Sequence, residues 1–107
     1  MAGELEAILN EMKGKGVGGA IVRVDGVAVQ STIALNELSS GMIASVANVS
    51  DAMMKRMDDQ QKEVEVSFGN SILVMYPMKN HFFCCMINDR EQKKMVSEYA
   101  AKAKNYI

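Results

Sequence analysis

Ala20-Ile21-Val22-Arg23-Val24-Asp25-Gly26-Val27-Ala28-Val29-Gln30-Ser31 sets Asp-Gly between two runs rich in β-branched residues. Asp-Gly tolerates the positive φ of a tight reversal, so this stretch predicts a β-hairpin with strands over 20–24 and 27–31. Upstream, Leu5, Ile8, Leu9 and Met12 recur at i, i+3, i+4 and i+7, one apolar face of a helix over 3–13. Glu4 and Glu6 in its first turn and Lys13 near its last suit the helix dipole, and the glycines from Gly14 onward stop it. Downstream, residues 37–57 read as a second helix, with Asn36, Ser39 and Ser40 all possible N-caps. Met42, Val46, Val49, Met53 and Met57 form one rail along it, and Ile43, Ala47 and Met54 a second rail alongside. At ~100° per residue the two rails span about 160° of arc, wider than the ~100° that covers one sheet face. Asn48, Asp51 and Lys55 mark its wet side.

After a polar linker from Asp58 to Gln61, Glu63-Val64-Glu65-Val66-Ser67-Phe68 alternates polar and apolar, as a half-buried strand does. Gly69-Asn70 turns the chain. Ser71 to Met78 is almost continuously apolar and reads as a central strand, with Pro77 limiting its ladder near the end. Lys79-Asn80 turns it again into a second central strand, His81 to Ile87. Asp89 and Gln92 have the spacing of a capping box for a last helix with Val96, Tyr99, Ala100, Ala103 and Ile107 on one face. The order is αββαβββα. It predicts an α/β chain of the α+β type, one domain over 1–107, with a single five-stranded antiparallel sheet flanked by three helices.

The chain has 107 residues, the size of one domain, and its 49% apolar and 23% charged content is ordinary globular usage. With 12 basic and 13 acidic side chains it lacks the basic excess of a nucleic-acid binder. Its apolar runs fall far short of the ~20 residues of a membrane span. Glu4 and Glu6 stand where a signal peptide carries positive charge, and Cys84 and Cys85 are adjacent, so no disulfide framework is expected. A cytoplasmic protein is the expectation. Beyond Met1 there are nine methionines, a residue over-used at adaptable binding surfaces.

The segment from Gly18 to Ser31 resembles the opening hairpin of the roadblock/LC7 (dynein light chain 7, MglB-like) family: a small-residue lead-in, an apolar strand, Asp-Gly, and a second strand ending in a small polar residue. The element order and spacing resemble that family over essentially the whole chain, which implies a roadblock/profilin-like sandwich. The turn Asn88-Asp89-Arg90 departs from the Asn-Leu-Gly-like turn of many members, and the lack of extensions implies a minimal prokaryotic or archaeal member. The resemblance implies a non-enzymatic homodimer that binds and regulates or scaffolds a small Ras-like GTPase. It places the second helix on one sheet face and the terminal helices on the other, and it pairs subunits through that helix and the third strand. The interface so implied comprises Met42, Val46, Val49, Met53, Met57, Glu63, Val64, Glu65, Val66 and Ser67. The residues agree on physical grounds: an edge strand needs pairing or cover, and one sheet cannot use the whole apolar arc. Ala44, Asn48, Asp51, Lys55 and Arg56 are candidate partner-docking residues, since methionines beside basic groups suit an acidic partner surface. Arg23 lies mid-strand and Arg90 at a helix start, so neither is placed as an arginine finger, and any stimulation of hydrolysis is expected to be indirect.

No catalytic, cofactor or metal site is expected. Gly14-x-Gly16-x-x-Gly19 matches a dinucleotide fingerprint literally, but it follows a helix and opens a strand, the reverse of what phosphate binding needs. Adjacent strand residues point to opposite faces, so Cys84 and Cys85 cannot chelate together, and both are expected to be buried and structural. His81 and Cys85 stand ~13 Å apart along a strand, too far for proton transfer, which makes His81 a strand-end residue. Glu63 and Glu65 are expected to mark a solvated sheet face or to fix a dimer register through charges. The alternative function is a small-molecule-sensing or structural dimerisation domain of profilin/PAS-like architecture. A sensor needs a cavity of ~300 Å³ or more with convergent polar groups, and the predicted core offers few beyond Ser71, Tyr76 and the cysteines.

Overall fold

Leu5, Ile8, Leu9 and Met12 are all buried, as their spacing requires, on helix α1 (Ala2–Gly14). The computed structural model describes residues 2–33, 37–59 and 62–107. Strands β1 (Gly18–Arg23) and β2 (Ala28–Ser31), helix α2 (Glu37–Arg56), strands β3 (Val64–Phe68), β4 (Ser71–Met78) and β5 (His81–Ile87), and helix α3 (Gln92–Lys104) follow. The five strands form one antiparallel sheet in the order β2-β1-β5-β4-β3. The predicted αββαβββα order is therefore the observed one. Asn36 lies outside the described residues, as do the side chains of Ser39 and Ser40 and residues Gln60 and Gln61.

The glycine run after α1 is a helix cap. The Gly16 N–H donates to the Lys13 carbonyl (3.0 Å) and the Val17 N–H to the Met12 carbonyl (3.0 Å), with Gly16 at φ +83. That is a Schellman motif, with Val17 and Met12 both buried in one cluster, and it stops the helix as the glycines predict. At the hairpin, Gly26 donates to the Arg23 carbonyl (2.9 Å) and Arg23 to the Val27 carbonyl (2.8 Å). The reversal therefore closes over Val24-Asp25-Gly26, not over Asp-Gly alone, and Gly26 at φ +98 supplies the left-handed position of a three-residue loop. Pro77 lies beyond the end of β3, where β4 is unpaired on that side among the described residues. Leu73 to Met75 are buried, but the ends of β4 are half-exposed, so the strand is central only in its middle. The capping box of α3 is half made. The Gln92 Oε1 accepts from the N–H of Asp89 (3.2 Å) and of Asn88 (2.9 Å), while the Asp89 carboxylate turns to the Glu91 N–H (2.9 Å).

Two clusters form the core, one on each face. Leu5, Leu9, Met12, Ile21, Val74, Phe83, Cys85, Val96 and Tyr99 join α1 and α3 to one face. Ala20, Val22, Leu73, Met75, Phe82 and Cys84 join Ala44 and Ala47 of α2 on the other. Cys84 and Cys85 thus point to opposite faces, and both are fully buried. Burial alone pushes the Cys84 thiol up to about 12, and burial with the adjacent Cys84 pushes Cys85 higher still. Thiolate chemistry at neutral pH is closed to both. Cys84 Sγ points at the Phe82 carbonyl (3.8 Å), which a serine hydroxyl would find. Cys85→Ser is therefore expected to cost ~1–3 kcal/mol for an unsatisfied hydroxyl, and Cys84→Ser less. Urea denaturation of the two variants checks the order.

Candidate functional site

Helix α2 carries its large apolar side chains away from the sheet. Met42, Val46, Val49, Met53 and Met57 are 60%, 45%, 62%, 58% and 70% exposed. The residues that face the sheet are small: Ala44 is 3% exposed and Ala47 fully buried. Ile43 and Met54 are half-buried between. Of the two rails, then, the second packs and the first is open. This arrangement follows from side-chain size, because alanines let the helix backbone lie close to the strands. Ala44 cannot dock a partner as expected, because it is buried in the sheet-facing cluster that holds Val22, Met75 and Cys84. A groove of about 410 Å³ lined by Ser45, Val46, Val49, Ser50 and Met53 runs along the open rail.

The other docking candidates are exposed or half-buried. The Asn48 Nδ2 donates to the Val24 carbonyl (2.9 Å), which ties α2 to the hairpin tip. Lys55 pairs with Asp51 one turn before it (3.0 Å), and Arg56 is exposed in the last turn. The other two arginines are held at home: Arg23 by Asp25, and Arg90 by Glu65 (2.9 Å). Arg56 is the arginine left facing outward, and the expectation of indirect stimulation, which rests on Arg23 and Arg90, does not cover it. α2 ends on a Schellman motif with Asp58 at φ 55.

The two edges of the sheet differ. β2 has four residues, a bulge against β1, and a following Thr32 whose N–H returns to the Gly19 carbonyl (2.9 Å). Short, bulged edges resist pairing. β3 runs five residues in unbroken register with β4, and its outer side is open. Val64 and Val66 point to the α2 face and pack partly against the cluster that holds Ala44 and Ala47. Glu63 and Glu65 point to the opposite face and meet one cation of α3 and one of the turn before it. Lys93 pairs with both, and Arg90 with Glu65. The Lys93 ammonium, then Arg90, holds the Glu65 carboxyl below its ordinary range. Of the two glutamates, expected to mark a solvated face or to fix a dimer register, Glu63 is exposed and Glu65 half-buried, and both are paired with cations at and just before the start of α3. Tyr76 lies on the same face; its hydroxyl is buried without a hydrogen bond among the described residues, and burial pushes it up to about 12.

Where a sensor would hold its ligand, between α2 and the sheet, Ala44, Ala47, Val22, Met75 and Cys84 fill the space. No helix is long and apolar enough to cross a membrane among the described residues.

No family sequence model matches the chain, and no curated protein matches it in sequence. Solved structures match in shape. A roadblock/LC7 domain from Streptomyces avermitilis superposes with a TM-score of 0.80 at 9% identity, covering 96% of this chain and 97% of that one. The gliding protein MglB from Thermus thermophilus gives 0.74 at 14% identity, covering 94% and 83%. Profilin IA from Acanthamoeba castellanii follows at 0.66 and 13% identity, covering 94% of each chain.

Proposed function

We propose that this chain, which has the roadblock/LC7 fold, works as a homodimeric, non-enzymatic adaptor that binds and regulates a small Ras-like GTPase. The observation that carries this reading is the open apolar rail of α2 lying on the same side of the sheet as Val64 and Val66 of the open edge β3. Four exposed large apolar side chains on one helix, with Met57 in the turn just after it, mark a buried interface in the working assembly. An edge strand beside them gives a second copy a ladder to join. The two copies would meet through Met42, Val46, Val49, Met53, Met57 and β3, making one continuous sheet. Lys55 and Arg56 at the end of α2, with Asn48 and Asp51, would border that seam and face the GTPase. Its likeness to roadblock domains and MglB supports the reading at the level of fold.

The test is a pull-down with purified Ras-like GTPases, including any encoded near this chain, each loaded with GDP or a GTP analogue, followed by single-turnover hydrolysis. Binding that prefers the GTP form is expected. Arg23→Ala should leave any stimulation intact, and so should Arg90→Ala at protein concentrations that keep the dimer saturated, because each guanidinium is already engaged within the chain. Arg56→Ala separates the two mechanisms. Unchanged hydrolysis supports indirect stimulation through ordered switch segments; a loss on the order of 10³-fold or more with binding intact makes Arg56 a finger supplied in trans. If no GTPase binds in either state, the adaptor reading falls.

A further inference from the structure

We infer that Arg90 and Lys93 license the pairing of β3 with a second copy of itself, by neutralising the two glutamates that pairing brings face to face. The inference rests on the dimer reading above and adds to it a pair of residues outside the seam. Its ground is the two-sidedness of β3. Val64 and Val66 lie on one face, and Glu63 and Glu65 on the other.

Two copies of an antiparallel edge pair about a two-fold axis. Keeping the valines of both copies on one face restricts the axis to pass through a residue. An axis through Val64 sets Glu63 opposite the partner's Glu65. An axis through Glu65 sets that residue opposite its own copy. One through Val66 leaves the two Glu65 residues as diagonal neighbours. Directly opposed side chains stand ~4.5–5.5 Å apart at Cβ and diagonal ones ~7–8 Å, and like charges there repel. Two carboxylates crowd the seam with the axis through Val66, and four with either of the other axes.

The chain answers this before any partner arrives. Lys93 bridges Glu63 and Glu65, and Arg90 takes the other oxygen of Glu65. Two negative and two positive charges leave the acidic face of each edge neutral. Lys93 comes from the first turn of α3 and Arg90 from the turn before it, so both sit above the sheet and leave the backbone ladder free. The same cluster makes β3 selective: an unrelated edge strand would meet a salt-bridged ridge on one face and must supply an apolar one on the other.

The experiment measures the dimer dissociation constant by sedimentation for the wild type and for Arg90→Met/Lys93→Met, at low and at high sodium chloride. Circular dichroism and the thermal midpoint confirm that the variant is folded. The expected result is a dimer weakened at least ~10-fold at low salt, and strengthened as salt rises, because screening relieves the exposed repulsion. Adding Glu63→Gln/Glu65→Gln to that variant should restore the wild-type constant. If the double variant proves poorly folded, Lys93→Met alone carries the same comparison. Lys94→Met, the next residue and turned to solvent, is the control and should change nothing. A dimeric wild type with an unaffected double variant, or a weakened variant that the glutamines fail to rescue, overturns this inference alone. A monomeric wild type overturns it together with the dimer reading.

Discussion

Met53→Asp is expected to turn the protein into a folded monomer. Met53 sits in the middle of the open rail, 58% exposed in the single chain, so a charge there meets water and costs the monomer within ~0.5 kcal/mol. In a two-fold interface the same aspartate is buried without a partner, once from each copy. The dissociation constant should rise at least ~100-fold, which is ~2.7 kcal/mol. Light scattering across the micromolar range, with circular dichroism as a check on folding, measures this. Ala44→Asp makes the contrast. It lies earlier on the same helix, but its methyl group faces the sheet and is 3% exposed. A carboxylate there enters a cluster of apolar side chains, so the variant should lose several kcal/mol of monomer stability, ~3–5 by analogy with other uncompensated buried charges. If Met53→Asp stays dimeric at wild-type strength, the seam lies elsewhere.

That contrast also marks how far the sequence could be read. The periodicity of α1, the Asp-Gly hairpin, the β3 alternation and the two apolar runs place every element in the right order, because each is a local pattern of one period. The hydrophobic arc of α2 is equally legible, but periodicity cannot say which half of an arc faces the sheet. Side-chain volume decides that: the close approach of helix to strand admits Ala44 and Ala47 and excludes the methionines. Ala44 therefore reads as a surface residue and is core. The ion cluster on β3 is out of reach for a different reason. Lys93 lies 28 residues from Glu65, and nothing in either segment names the other. Only the meander, by setting the start of α3 over the edge strand, brings them together. The signal that was available is the pairing of two alternating glutamates with two cations at the start of the last helix.

The thin attachment of α2 has a dynamic consequence. α1 is held by Leu5, Ile8, Leu9 and Met12, and α3 by Val96, Tyr99, Ala100 and Ala103, all buried. Among the described residues α2 is held by the methyl groups of Ala44 and Ala47, by half-buried Ile43 and Met54, and by the exposed Asn48 bond to the Val24 carbonyl. A buried methylene is worth ~0.8 kcal/mol and a buried leucine ~1.5–3, so α2 should open far more often than α1 or α3. In the Met53→Asp monomer, α2 amides are expected to exchange hydrogen at least ~10-fold faster than those of α1. In the wild type the second copy would cover the rail and close that opening. At a concentration ~100 times the dissociation constant, coupling to the dimer adds ~2.7 kcal/mol, a ~100-fold slowing of α2 exchange. β4 and β5, buried at the centre of the sheet, depend on both helix layers and should keep the slowest amides in either state. Exchange followed by mass spectrometry over a dilution series reads all three elements at once. Protection of α2 equal to that of α1 in the monomer, and flat with concentration in the wild type, would show that two alanines suffice and that the rail needs no cover.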